Sequence, residues 1–401
     1  MSGPDLLPGS TRWSGGKQPA TLGVMGGGQL GRMFVHAAQA LGYVTVVLDP
    51  DDTSPAGLVS HQHIQSDYLD EQGLEQLIQH CAAITTEFEN VPAAALATLA
   101  AARPTAPSAE AVAIAQDRIQ EKAHLARSGV PVAPYAVIES AADLAAVADK
   151  LLPGILKTAR LGYDGKGQVR VSSRAELASA WDALKQVPCV LEQMLPLVDE
   201  CSVIVARGWD GACVNFAPQR NLHRQGILAV TQVYEGNLPP ALVAKAVTAT
   251  KKIADELNYV GVLCVEFFVL TEGSPESAAL GGLVVNEMAP RPHNSGHYTL
   301  DACDQSQFDL QVRTLAGLPL VQPRHHSAAV MLNLLGDLWV EGVTPPWDAV
   351  LALPGVHLHL YGKVQAKPGR KMGHLTVTAA TVDEANAVAQ TAARLLGIEA
   401  F

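Results

Sequence analysis

No pair of cysteines in this chain is spaced as C-x-x-C. Its six cysteines, Cys81, Cys189, Cys201, Cys213, Cys264 and Cys303, are scattered. That argues against a zinc ribbon and a disulfide framework, and predicts mostly buried, reduced thiols in a cytoplasmic protein. Positive charge is also scarce. Lysine and arginine total 28 against 39 aspartates and glutamates, a net charge of −11. A nucleic-acid surface needs clustered cations, so no nucleic-acid partner is expected. Small anions remain open as ligands, because a few local cations can offset a global acidic field. Long apolar runs are missing too. The longest, VGVLCVEFFVL, is too short for a bilayer and carries Glu266, so no membrane partner is expected. The first twenty residues lack the apolar stretch of a signal peptide, and their Gly, Pro and Ser predict a flexible tail over 1–20.

What is present suits a globular protein of two or three domains: 401 residues, 48% apolar and 17% charged. GVMGGGQLGRM puts Gly26, Gly28 and Gly31 on G-x-G-x-x-G, and Asp49 closes the next apolar run, VTVVLD. Taken alone, this fingerprint favours a dinucleotide. TLGVM, VTVVLD, HIQSD and AAITTEFE read as strands, alternating with the helical stretches QLGRMFVHAAQALG and LEQLIQHC. The alternation predicts a parallel sheet covered on both faces, a Rossmann-like α/β domain over 21–117. An Ala-rich helix over 92–102 follows, and a single helix is predicted over 108–128, ending at Gly129. Residues 118–320 read as antiparallel strands with helices, an α+β arrangement, including a helix over 240–257. From 321 to 401 short strands and a last helix predict a small β-rich C-terminal domain.

Four segments carry chemistry. Glu266 and Glu287 each sit in an apolar strand, where a charge needs a partner. Two such carboxylates on adjacent strands suit a hard cation, magnesium carried with a nucleotide. Each could instead face solvent on a sheet edge or pair with an arginine. LGYDGKGQ, over 161–168, has glycines at 162, 165 and 167 that let backbone amides approach an anion, with Lys157 on the strand before it. No P-loop pattern is present, so a hairpin lid over phosphates fits better than a P-loop, although glycine-rich hairpins are common. NEMAPRPHNSGH brackets Arg291 between two prolines and follows it with His293, Asn294, Ser295 and His297. A planar guanidinium fork there suits a carboxylate, bicarbonate or phosphate. YGKVQAKPGRKMGH gathers Lys363, Lys367, Arg370 and Lys371, either a phosphate site or a solvated basic turn.

Together these motifs resemble the ATP-grasp superfamily. Within it they resemble the 5-(carboxyamino)imidazole ribonucleotide synthetases, through GGGQLGRM, TEFENV, AQDR, KTARLGYDGKGQ, LEQ, NLHRQGIL, NEMAPRPHNSGHYT and PGRKMGHL. The resemblance implies a Rossmann-like N-terminal domain, a central ATP-grasp domain over 118–320 with its lid at about 130–195, and the small C-terminal domain. It implies an ATP-dependent ligase of purine biosynthesis that carboxylates 5-aminoimidazole ribonucleotide with bicarbonate through carboxyphosphate, and a homodimer. ATP would lie against Arg118, Lys157, the lid residues Gly162, Tyr163, Asp164, Gly165, Lys166, Gly167 and Gln168, the strand end Glu192, Gln193, Met194 and Leu195, and Glu200, His223, Asn286 and Glu287. Glu266 and Glu287 would hold magnesium. Gln29, Leu30, Glu87, Asn294, Lys363, Arg370 and Lys371 would bind the ribonucleotide. Tyr163, Asp164, Arg291, His293 and Lys363 would be catalytic. Many relatives carry Asn two residues after the second metal-binding Glu, where this chain has Ala289.

Other readings stay open from the residues alone. An NAD-dependent oxidoreductase would use the fingerprint but leave Glu266, Glu287 and the lid idle. A sister ligase acting on a glycinamide-type ribonucleotide would have no need of PRPHNSGH and PGRKMGHL. A nucleotide sensor without catalysis would have no reason to keep both carboxylates, the lid and the Arg-His loop.

Overall fold

The first four apolar runs form a parallel sheet. In this computed structural model, which describes residues 3–162, 167–340 and 343–401, strands Thr21–Met25, Val44–Leu48, Gln62–Ile64 and Ala83–Thr86 lie in the spatial order third, second, first, fourth. Side chains alternate between the sheet's faces, as the pleat requires. Leu22, Val24 and Val47 join Phe34 of helix Gln29–Ala40 and Phe308 and Val312 of helix Gln307–Ala316. Met25, Val46 and Leu48 join Leu74 and Leu77 of helix Glu71–His80. The order reverses beside Thr21–Met25, and the crevice at the carboxyl ends of such a reversal is where α/β sheets bind ligands.

The stretch 108–128 is not one helix. It breaks into Ala109–Ala115 and Arg118–Arg127, because the Asp117 carboxylate accepts the Ile119 and Gln120 N–H groups and starts a second helix. The N-terminal stretch also differs from a loose tail. Leu6 N–H donates to Ala316 O at 3.2 Å, Tyr43 O–H donates to Leu6 O, and Leu6 and Trp13 pack on the core.

A small antiparallel sheet, in the order Tyr135–Ile138, Cys189–Gln193, Gly154–Thr158, Gln168–Val171, carries the glycine loop between its last two strands. The large antiparallel sheet has the order Leu283–Ala289, Gly261–Leu270, Leu197–Arg207, Gln219–Arg224, Ile227–Val233, Ala328–Leu335, Lys371–Ala379, Val356–Leu360, with Cys213–Asn215 added beside Leu197–Arg207. This sheet has strands on both sides of residue 321. Val230 pairs with Leu332, so the C-terminal strands extend the central sheet. Helix Val382–Leu396, buried through Ala385, Ala389 and Ala392, covers them.

Candidate active site

A cleft of about 870 Å³ lies between the carboxyl end of the parallel sheet, the glycine hairpin and the large sheet. Its floor holds the two strand carboxylates. Glu266 and Glu287 are register partners on Gly261–Leu270 and Leu283–Ala289, and both line the cleft. Burial alone would raise the Glu266 pKa. The His293 Nε2, 2.9 Å away, outweighs it with His223 and Lys371 and holds the carboxyl below its ordinary range. Glu287 sits on the sheet's edge strand, half-exposed, with Arg118 Nη1 at 3.5 Å. Both alternatives from the sequence, an edge position and an arginine partner, thus hold in part for Glu287. Beside it the buried Asn286 Oδ1 has no hydrogen-bond partner among the described residues. The donor set is oxygen only, and it fits a hard divalent ion.

Cations border one side. Arg118 opens its helix directly after the Asp117 cap, and Lys157 points from strand Gly154–Thr158; both line the cleft. Behind Lys157 lies Glu192, with Oε2 3.0 Å from Lys157 Nζ and Oε1 3.3 Å from the fully buried Lys122. Burial opposes ionisation of Glu192, but Lys122, Lys157 and Arg118 hold its pKa at about 2. Lys122 Nζ also donates to Asn286 O at 2.8 Å. Glu192 is therefore turned inward, and neither it nor Gln193, Met194 and Leu195 lines the cleft. Glu200 and His223 do, with His223 Nδ1 2.6 Å from Glu200 Oε2. Burial disfavours the imidazolium, yet Glu200 and Glu266 raise the His223 pKa above its ordinary value. From the lid, Gly162, Gly167 and Gln168 line the cleft. Tyr163, Asp164, Gly165 and Lys166 lie outside the described residues.

The Arg-His loop closes the other side. His293 donates through Nε2 to Glu266, and its Nδ1 meets Ser295 Oγ at 2.9 Å; Gln307 bonds both its N–H and its carbonyl. Asn294 is buried, lines the cleft, and leaves both side-chain amide atoms without partners among the described residues. Arg291 is not poised with an open side edge. Its Nε and Nη2 donate to the two oxygens of Glu89, and Nη1 donates to Pro292 O at 3.0 Å.

The glycine turn has its anion already. Gly28 and Gly31 N–H donate to the Glu87 carboxylate at 2.8 and 2.9 Å, and Gly27 N–H donates to Asp49 at 2.6 Å. The Gly27, Gly28 and Gly31 amides at the start of helix Gln29–Ala40 are thus taken from within the chain and are not free to meet a pyrophosphate. Gln29, Leu30 and Glu87 line the cleft. From the basic turn, Lys371 lines it, whereas Lys363 and Arg370 do not. Lys363 Nζ donates to Lys371 O at 2.7 Å, and Arg370 Nη1 to Gln365 O at 2.8 Å. Burial first, then Arg370, push the Lys363 ammonium down to about 8, against the pull of Glu87.

Sequence reasoning missed three groups: Glu89, Lys122 and Glu121. Glu121 accepts Met288 N–H at 2.7 Å, and burial lifts its carboxyl to about 7 against Arg118. Glu89 sits inside TEFENV, and a second acid two residues after Glu87 was the available signal. Asp301, His359 and His374 bring ligand atoms within 4.8 Å of one another. The two imidazoles are stacked 4.5 Å apart at 11°, so their in-plane lone pairs run side by side and do not converge on one ion.

Known proteins share this chain's sequence and fold along most of its length. Residues 19–116 match the ribonucleotide synthetase preATP-grasp domain, 123–308 the ATP-grasp domain, and 329–388 the phosphoribosylaminoimidazole carboxylase C-terminal domain. The N5-carboxyaminoimidazole ribonucleotide synthase of Brucella melitensis is 42% identical over 367 residues, 90% of this chain and 96% of that protein. The structure of N5-carboxyaminoimidazole synthetase from Staphylococcus aureus complexed with ADP superposes with a TM-score of 0.84 at 37% identity, covering 94% of this chain and 97% of that one. The Aspergillus clavatus synthase, in complex with ADP and 5-aminoimidazole ribonucleotide, has a TM-score of 0.84 at 32% identity over 94% of this chain and 98% of its own. A fold and a sequence shared over about nine-tenths of the chain make it a member of the N5-carboxyaminoimidazole ribonucleotide synthase family of ATP-grasp ligases.

Proposed function

We propose that the chain uses ATP to carboxylate the exocyclic amine of 5-aminoimidazole ribonucleotide with bicarbonate. The observation that carries this is the pairing of Glu266 with Glu287 between two anion-binding sides, Arg118 and Lys157 on one and Arg291, His293 and Asn294 on the other. A nucleotide triphosphate fits the first side and bicarbonate the second. Glu266 and Glu287 would hold magnesium, which when bound neutralises charge on the transferring phosphoryl group.

A bicarbonate oxygen attacks the γ-phosphorus, the bond to ADP breaks, and carboxyphosphate forms. The ribonucleotide amine then attacks the carboxyl carbon, or carbon dioxide released beside it. Phosphate leaves and the amine gives up a proton. No carrier cofactor is needed, because the amine is itself the acceptor. Phosphoryl transfer needs little covalent help, so positioning and charge supply most of the acceleration. Lys157 gives a point charge fixed by Glu192. Arg291 gives a planar donor whose hydrogen bonds strengthen as bicarbonate gains a phosphoryl group. His293, bonded to Glu266, ties the carboxylate floor to the anion loop. Gln29, Leu30 and Lys371 are the ribonucleotide contacts this reading favours, and Tyr163 and Asp164 of the lid remain catalytic candidates.

No helix among the described residues is long and apolar enough to cross a membrane. The reading includes a cytoplasmic homodimer, carried by the family resemblance, and sedimentation velocity tests the dimer. ADP release in a coupled assay tests the reaction. It should require both bicarbonate and aminoimidazole ribonucleotide for full rate; release indifferent to both would overturn the proposal.

A further inference from the structure

We propose that Glu89 is a positioning residue for Arg291, aligning the guanidinium so that its end-on edge is presented to the anionic substrate. This rests on the reading of Arg291 as the bicarbonate and carboxyphosphate anchor. An arginine has five N–H donors in one plane. Here Nε–H and one Nη2–H go to the two oxygens of Glu89, and one Nη1–H goes to Pro292 O. One hydrogen remains on each Nη nitrogen, without a partner among the described residues. With Pro292 O taking the Nη1 hydrogen on the Cδ side, those two lie on the edge facing away from Cδ and form a second fork that matches two oxygens of a planar anion. Both residues line the cleft.

Glu89 is itself held. Gln116 Nε2 donates to Glu89 O at 2.6 Å and to Val91 O at 2.7 Å, fixing the loop after the fourth parallel strand. The carboxylate is ionised: burial opposes this, but Arg291 brings its pKa to about 2. It offers no proton to a substrate and repels a free anion, so it acts through the arginine. A lone arginine side chain has several rotatable bonds, and a misaligned fork loses one of its two contacts. Clamping the side edge removes that freedom before substrate arrives.

The test is a double-mutant cycle on the full-length enzyme with Glu89→Gln, Arg291→Lys and the pair. Turnover and the KM for bicarbonate are measured beside ATP affinity by calorimetry. Glu89→Gln should lower kcat by at least ~10-fold, the scale of one lost charge-assisted contact, with ATP affinity within about threefold. In the Arg291→Lys background the same change should alter kcat by less than about twofold, because its effect passes through Arg291. Should Glu89→Gln fail to fold, Glu89→Asp runs the same cycle, its carboxylate stopping one methylene short. Additive losses, or normal turnover in Glu89→Gln beside an impaired Arg291→Lys, would overturn the positioning role alone. Normal turnover in Arg291→Lys would overturn the anchor reading, and this inference with it.

Discussion

Exchanging one carboxylate oxygen for an amide on the cleft floor removes a unit of charge where phosphate charge must be compensated. Glu266→Gln and Glu287→Gln should each lower ADP formation by at least ~100-fold, the scale expected where electrostatics carry phosphoryl transfer. Tm should stay near wild type for Glu287, which is half-exposed. Near-normal turnover in either variant removes the metal assignment. Glu192 predicts a different signature. Two lysines share its carboxylate, so Glu192→Gln leaves buried cations uncompensated, a loss of about 3–5 kcal/mol. Its pKa in the folded chain, about 2, lies below the ordinary 4.5. The stabilisation is therefore full above pH 4.5 and lost as pH falls toward about 2. The gap in Tm between wild type and Glu192→Gln should be wide at pH 7 and close toward pH 2; a gap independent of pH would show that ionised Glu192 is not its source. Glu266 and Glu287 were legible in the sequence, because each interrupts an apolar strand. Glu89 as the partner of Arg291 was not: 202 residues separate them, and neither local spacing nor polarity reports such a contact.

Among the elements, the break at Asp117 matters most for the site. A hydrophobic pattern that continues through 108–128 hides the join, because an aspartate inside a helical stretch reads as a tolerated polar residue. The carboxylate instead caps Arg118–Arg127 and takes the Arg160 guanidinium at 3.0 Å. Asp117→Ala should cost about 1 kcal/mol of stability, read from the urea midpoint, and should weaken ATP binding because Arg118 loses its fixed start. Unchanged ATP affinity would separate the cap from the nucleotide site. The lid hairpin was more legible, since strand, glycine loop and strand follow one another. Gly167 has φ +71°, and a Cβ there would lie 2.7 Å from Thr158 Oγ1. Gly167→Val should raise the KM for ATP several-fold and cost about 1–2 kcal/mol of stability, the strain of a side chain in the left-handed region. A large loss of Tm with unchanged ATP use would make the turn structural.

For the whole molecule, two devices join the parts. Helix Gln307–Ala316 is buried on nearly every side: Phe308 and Val312 pack on the N-terminal sheet, and Leu310 on the central one. The large sheet continues into the C-terminal strands through Ile227–Val233 and Ala328–Leu335. The class of each part was legible from its strand and helix rhythm. The shared sheet was not, because strand pairing across a long connection leaves no periodic trace. The glycine fingerprint misleads at this scale too, since the acid that caps it, Glu87, comes from a strand end far along the chain.

The most direct test of the function follows an oxygen. With bicarbonate labelled in oxygen-18 and unlabelled ATP and water, the enzyme turns over aminoimidazole ribonucleotide, and the released phosphate is analysed by mass. Attack of bicarbonate on the γ-phosphorus predicts one labelled oxygen in each phosphate, in step with the ADP formed. Unlabelled phosphate would mean that water, not bicarbonate, receives the phosphoryl group, and would contradict the account.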